Sequence, residues 1–222
     1  METNKRKMLL FLGITLFTQA ATSLIGGCIF LNPFNSSVID DAFMRMVAGS
    51  ANTAYVSIML QVVTAVVIVM LGVAMYTIAG HFCKPMADVA LMMYVAEAVL
   101  LVVGQAFVYG LLHTAQLYVA SGDASLIAVG NVLFGVKKFC GEIAMVPFGV
   151  GAVIFYTLIA KANAIPKWLG WYGVITAAVI GVCIPLGTFG VDVPTAFLVP
   201  YIPFEFLTGI YIVVVSRRKR LA

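Results

Sequence analysis

Long apolar runs set the outer limit on what this chain can fold into. Stretches 8–31, 54–79, 86–112, 139–160, 168–187 and 197–215 each approach the roughly 20 residues that carry a helix across a bilayer. Of 222 residues, 63% are apolar and 10% charged, against roughly 45–50% and 25% in soluble domains. That balance excludes a soluble globular domain. The spans consume more than half the chain, so no appended nucleotide-binding, receiver or DNA-reading domain has room. The expected fold is all-α: one transmembrane domain over 1–222, a polytopic integral membrane helical bundle of six transmembrane helices, with seven as the alternative. Lys5, Arg6 and Lys7 before the first run resemble a signal peptide, but the run exceeds the 7–15 residues of a signal core and is read as a retained span.

The connections supply orientation. With six spans, the side holding both termini collects Lys5, Arg6, Lys7, Lys84, Lys161, Lys167, Arg217, Arg218, Lys219 and Arg220, ten of the 13 cations. The other side keeps Arg45, Lys137 and Lys138 with Asp40, Asp41, Asp123 and Asp192. The positive-inside rule then places both termini in the cytoplasm of a plasma-membrane protein. Trp168, Trp171 and Tyr172 beside Lys167 read as an interfacial anchor. The basic excess is accounted for by orientation, with contact to anionic headgroups, so no nucleic-acid partner is expected. On the outer side, Val38, Ile39, Ala42, Phe43 and Met46 fall at helical spacing and predict a short amphipathic surface helix. Residues 124–136 read either as a second surface helix or as an early part of the fourth span.

Three carboxylates fall inside spans: Glu97, Glu142 and Glu205. An ionisable group in hydrocarbon costs at least ~2.5 kcal/mol, so it turns to the bundle interior and seeks partners. Tyr94 and Gln105 lie near Glu97 on its helix. Asn131, Gly135, Lys138, Glu142, Gly149 and Tyr156 form a stripe in which Lys138 sits one turn before Glu142 and pairs with it if helix extends that far. Tyr201, Glu205, Thr208 and Gly209 cluster on the last span. The first span offers Thr15, Gln19, Thr22, Ser23 and Gly26, and the second Ser57, Gln61, Thr64 and Gly72. Such stripes either line a polar interior or hold helices together.

Other chemistry is sparse. Cys28, Cys83, Cys140 and Cys183 show no metal-ligand spacing; three of them, all but Cys83, lie near outer span ends, where a disulfide or inert buried thiols are the alternatives. No metal site is expected, and the cofactor, if any, is unknown. No phosphate loop, catalytic triad pattern or HExxH occurs.

Several blocks resemble one family. MMYVAEAVLLVVG over 92–104, VAMYTIAGHF over 73–82, AKANAIPKWLGWYGVI over 160–175 and PYIPFEFLTGIYIVVV over 200–215 are similar, in order and spacing, to elements of a bacterial and archaeal multi-pass family known as domain of unknown function 4386. By that resemblance the family glutamates fall on Glu97 and Glu205 and its proline on Pro166. Where the family has an arginine three residues before the first glutamate, this chain has Tyr94, and Lys161 stands where the family has an arginine pair. The resemblance implies a six- or seven-span helical architecture and no established activity.

The functional expectation is an integral membrane protein of unknown specific activity. Its outward-facing polar cavity, lined by Glu97, Glu142, Glu205, Gln105, Lys138, Tyr94 and Tyr201, would bind a small molecule, ion or lipid headgroup in a transporter- or receptor-like way. The alternatives are a membrane-embedded enzyme using the glutamates as acid and base, and a non-catalytic accessory or immunity-like protein. The lipid bilayer is the expected partner; the oligomeric state is open.

Overall fold

The computed structural model describes residues 2–31, 38–191, 193–197 and 199–218, and those residues form helices and short connections with no strand among them. Helix α1 (Glu2–Ser23) runs into a π-helical segment, Leu24–Phe30. Then follow α2 (Asp41–Gly49), α3 (Ala51–Ala79), α4 (Lys84–Ser121), α5 (Ser125–Ile143), α6 (Met145–Lys161), α7 (Lys167–Thr188), a 3₁₀ turn at Thr195–Phe197 and α8 (Tyr201–Arg218). Helices are the natural outcome for chains this apolar, because they satisfy every backbone donor and acceptor within one segment. Among the described residues, five helices are long and apolar enough to cross a bilayer, with α5 and α6 counted as one, and Tyr201–Ser216 is a shorter apolar helix.

Local chemistry fixes the breaks. Asp40 caps α2 by accepting from the Phe43 amide at 2.8 Å. Gly122, at φ 71, ends α4 in the left-handed conformation that glycine adopts without strain. The fourth expected span, 139–160, begins much earlier as helix, so 124–136 belongs to the helical run that leads into it. That run breaks at Ala144. Pro147 is the reason: it has no amide hydrogen to give the Ile143 carbonyl, and an unbroken helix would drive its ring into that carbonyl.

The helices form a ring. α1 packs against α8 and α3, α3 against α4, α4 against α5 and α6, α6 against α7, and a smaller α7–α8 contact closes the circuit. Small residues set the closest approaches: a Cβ on Gly149 of α6 would lie 2.6 Å from the Gly181 Cα of α7, so neither glycine can be enlarged without parting the helices. Hydroxyls do the same for α1 and α3, with Thr64 donating to Thr22 and Ser57 to the Gly26 carbonyl, both at 2.8 Å. The Ser, Thr and Gly stripes of the first two spans therefore hold helices together. The main core includes Leu12, Leu16, Ile68, Met75, Tyr94, Phe155, Tyr156 and Phe204. Outside it, Met59, Val66, Val99, Val132, Ile175, Val182 and Leu207 are more than half exposed. An apolar exterior around a packed interior is the surface a lipid bilayer solvates.

The amphipathic helix is present, with a different buried face. Ile39, Phe43, Met44 and Val47 are buried, whereas Val38, Ala42 and Met46 are exposed. α2 docks on α4 and joins a second apolar cluster with Leu111, Leu112 and Tyr118. Its orientation follows that tertiary contact. Arg45 bridges to Asp41 at 2.9 Å, and Tyr118 donates to the same carboxylate. Arg45 first, then Tyr118, holds the Asp41 carboxyl below the usual carboxylate range.

Candidate functional site

Glu97 and Glu205 line one interstice inside the bundle. Glu97 lies about 20 Å along α4 from Lys84 at 1.5 Å per residue, and Glu205 one turn into α8. They are 3% and 8% exposed. The same interstice is lined by Gln19 of α1, Ile68 and Leu71 of α3, Tyr94 of α4 and Phe148 of α6. Five helices therefore contribute to it. No basic side chain lines it, and it is too small to admit a water molecule.

A hydroxyl relay leads to Glu205. Tyr201 donates to Glu205 Oε1 at 2.7 Å, and the Tyr156 and Tyr201 hydroxyls are 3.3 Å apart. Tyr201 has one hydrogen and gives it to the carboxylate, so Tyr156 is the donor in the second bond. Aromatic packing holds the relay: Tyr156 stands edge-on to Phe204 at 5.0 Å, and Tyr201 edge-on to Phe148 at 5.2 Å. Gln19 of α1 lines the interstice together with Glu205. Glu97 is less well served. Its Oε2 has no hydrogen-bond partner among the described residues, and neither have Gln19 Oε1, Gln105 Oε1 and Thr208 Oγ1. Buried polar atoms without partners are uncommon in folded proteins and mark places where something else completes the bonding.

Tyr94 explains part of that deficit. Its ring lies between Gly72 and Gly151, where an added Cβ would meet Tyr94 atoms at 3.3 and 2.7 Å respectively. Its hydroxyl faces the Met75 sulfur at 3.8 Å, and Phe155 stacks edge-on at 5.3 Å. The tyrosine fills its slot and leaves Glu97 without a basic partner one turn away.

The other expected site residues lie elsewhere. Glu142 pairs with Lys138 at 3.8 Å, as one-turn spacing predicts, and accepts from Thr188 of α7 at 2.6 Å. Lys138 is exposed, and neither residue lines the interstice. The break at Ala144 turns Asn131, Gly135 and Lys138 outward while Gly149 and Tyr156 stay buried, so the single stripe is divided. Gln105 is buried about 12 Å beyond Glu97 along α4, next to Gly104, which packs on Cys140 of α5. One cavity lined by all seven expected residues is not what the structure forms; Glu97, Glu205 and Tyr94 line the interstice, Tyr201 reaches it through Glu205, and Glu142 with Lys138 forms a separate polar junction. Gln19 and Tyr156 belong to the site although sequence analysis assigns neither to it. Both sit on the polar stripes, and their position opposite Glu205 was the missing information. Cys140 and Cys183 are free thiols, and the Cys28 side chain lies outside the described residues. No cluster able to hold a metal ion occurs among the described residues.

Long apolar helices, an apolar exterior and a buried polar interstice define a polytopic helical membrane protein. Residues 9–216 match the family model described as "Domain of unknown function (DUF4386)", and the chain belongs to that family. No curated protein and no solved structure matches the chain.

Proposed function

We propose that the protein is a six-span plasma-membrane protein with cytoplasmic termini whose Glu97–Glu205 pair binds a proton or a small cation, in a transporter- or receptor-like role. One observation carries this reading: two acidic side chains from α4 and α8 line the same water-excluding interstice, and no basic side chain lines it. Carboxyl groups in such a place need positive charge from a proton or a cation. Within the wider expectation of a small molecule, ion or lipid headgroup, the size of the interstice favours the smallest ligands. The Tyr156–Tyr201–Glu205 chain supports proton delivery, because each hydroxyl both donates and accepts. The short apolar helix Tyr201–Ser216 supports a sixth span beside the five longer ones, and the cation bias supports the orientation.

The tight packing of the interstice also favours a second reading, an accessory or immunity-like protein in which the glutamates are structural. An acid–base enzyme has less support, since a substrate needs room beside the carboxyls. Infrared difference spectroscopy in nanodiscs separates these readings. The expected result is a carboxyl band that responds to pH or to added lithium or sodium chloride and is reduced in both Glu97→Gln and Glu205→Gln. A wild-type protein with no such response, or a response unchanged in both folded variants, overturns the binding role and leaves the accessory reading.

A further inference from the structure

At the opposite end of α6 from the Ala144 break, a groove of about 220 Å³ opens between α6 and α7. Its polar rim carries Lys161, the last residue of α6, and Lys167, the first of α7. Its wall carries Trp171 and Thr157, whose hydroxyl donates to the Val153 carbonyl of its own helix, and its floor is small and apolar: Ala160, Gly170 and Val174. The groove exists because the two helices touch below it. A Cβ on Gly170 would lie 2.5 Å from the Ala160 Cβ, so the backbones are as close as side chains allow. From there the Ala162–Pro166 connection, with Asn163 at φ 51, turns the chain back and spreads the lysines to either side. Both lysines and Trp171 are exposed, no acidic side chain lines the groove, and neither lysine has an ion-pair partner among the described residues.

We propose that this groove is a binding site for the headgroup of an anionic phospholipid. Two ammonium groups flanking one groove match a phosphodiester carrying a net negative charge, and a zwitterionic lipid offers them no net charge to neutralise. The apolar floor takes the first methylenes of an acyl chain or the glycerol backbone. Trp171, with Trp168 one turn before it and also exposed, sits where indoles settle at the boundary of hydrocarbon and headgroups. Basic pockets between transmembrane helices take lipid headgroups in this way. The site is about a full helix length from Glu142 and shares no lining residue with the Glu97–Glu205 interstice, so it stands or falls independently of the proposed function.

Native mass spectrometry of the full chain released from nanodiscs tests this. The probes are phosphatidylglycerol and phosphatidylcholine with identical acyl chains, mixed equally. The wild-type protein is expected to retain phosphatidylglycerol in excess. The Lys161→Gln/Lys167→Gln double variant is expected to lose about 25-fold in relative affinity, roughly fivefold per lysine. Both substitutions are on exposed side chains, and circular dichroism checks that the helices remain. Lys84→Gln, at the exposed start of α4 and outside the groove, is expected to retain the wild-type excess. Equal retention of the two lipids, an unchanged excess in the double variant, or an equal loss in Lys84→Gln overturns the proposal. Binding of inorganic phosphate alone with the same dependence on Lys161 and Lys167 overturns the lipid as occupant.

Discussion

Replacing Tyr201 with Phe removes one oxygen and disturbs two hydrogen bonds. The hydroxyl donates to Glu205 at 2.7 Å and accepts from Tyr156 at 3.3 Å. A hydrogen bond to a charged group is worth about 1.5–3 kcal/mol in soluble proteins, whereas intramembrane side-chain bonds average about 0.6 and reach about 1.7 kcal/mol. Tyr201→Phe is therefore expected to destabilise the protein by about 1–3 kcal/mol. Tyr156→Phe removes the longer bond alone and is expected to cost well under about 1 kcal/mol. The double variant decides the matter. Once Tyr201 has lost its hydroxyl, Tyr156 is a buried donor without its acceptor, so deleting the second hydroxyl removes an unsatisfied group. Tyr156→Phe/Tyr201→Phe is expected to be at least as stable as Tyr201→Phe alone. Unfolding in mixed micelles of a mild detergent and sodium dodecyl sulfate, followed by circular dichroism, measures all four proteins. Additive losses would refute the relay, because independent residues add and members of one hydrogen-bonded chain do not.

The helix crossing and the surface cluster give two further expectations. Gly149→Ala places a Cβ 2.6 Å from the Gly181 Cα and is expected to lower stability by about 1–3 kcal/mol, while Gly135→Ala, with nothing within 4 Å, is expected to raise it by up to about 1 kcal/mol; equal effects in the same unfolding assay would contradict the close approach. Because the folded Asp41 carboxyl titrates below its ordinary value, the stability it contributes is present above about pH 4 and lost as pH falls through the lowered value. Hydrogen exchange of the α2 amides, corrected for intrinsic rates, is expected to show a smaller acid-induced loss of protection in Asp41→Asn than in the wild type, and equal losses would discount the Arg45–Asp41–Tyr118 cluster.

The helices were legible because apolar runs of this length have few alternatives in water or lipid. Their breaks were less so. Pro147 stood in plain view inside the fourth run, yet its effect depends on whether helix precedes it, and the start at Ser125 was open between two readings. The buried face of α2 is hidden in the sequence for a related reason. Spacing alone pairs Ile39 and Phe43 with Ala42 and Met46 about equally well, and only the surface of α4 selects Met44 and Val47. The glutamates stood out by cost, and Lys138–Glu142 by spacing. Which carboxylates meet was hidden, because it depends on α8 lying beside α1, an adjacency between positions some 200 residues apart. Gln19 and Tyr156 became visible as site residues only once that ring closed.

That closing contact also orders events during synthesis. Arg6 Nε donates to the Ser216 carbonyl at 2.7 Å, and Gly13 is so close to α8 that an added Cβ would meet the Val213 side chain at 2.9 Å. A nascent chain inserts α1 first and α8 last among these helices, so the face of α1 that carries Gly13 and Phe17 waits without its α8 partner while all the others enter. Glu97 waits with it, in a half-built bundle that still lacks Glu205. The carboxylate pair therefore comes into being only in the final step of assembly, when α8 joins the helices already in place.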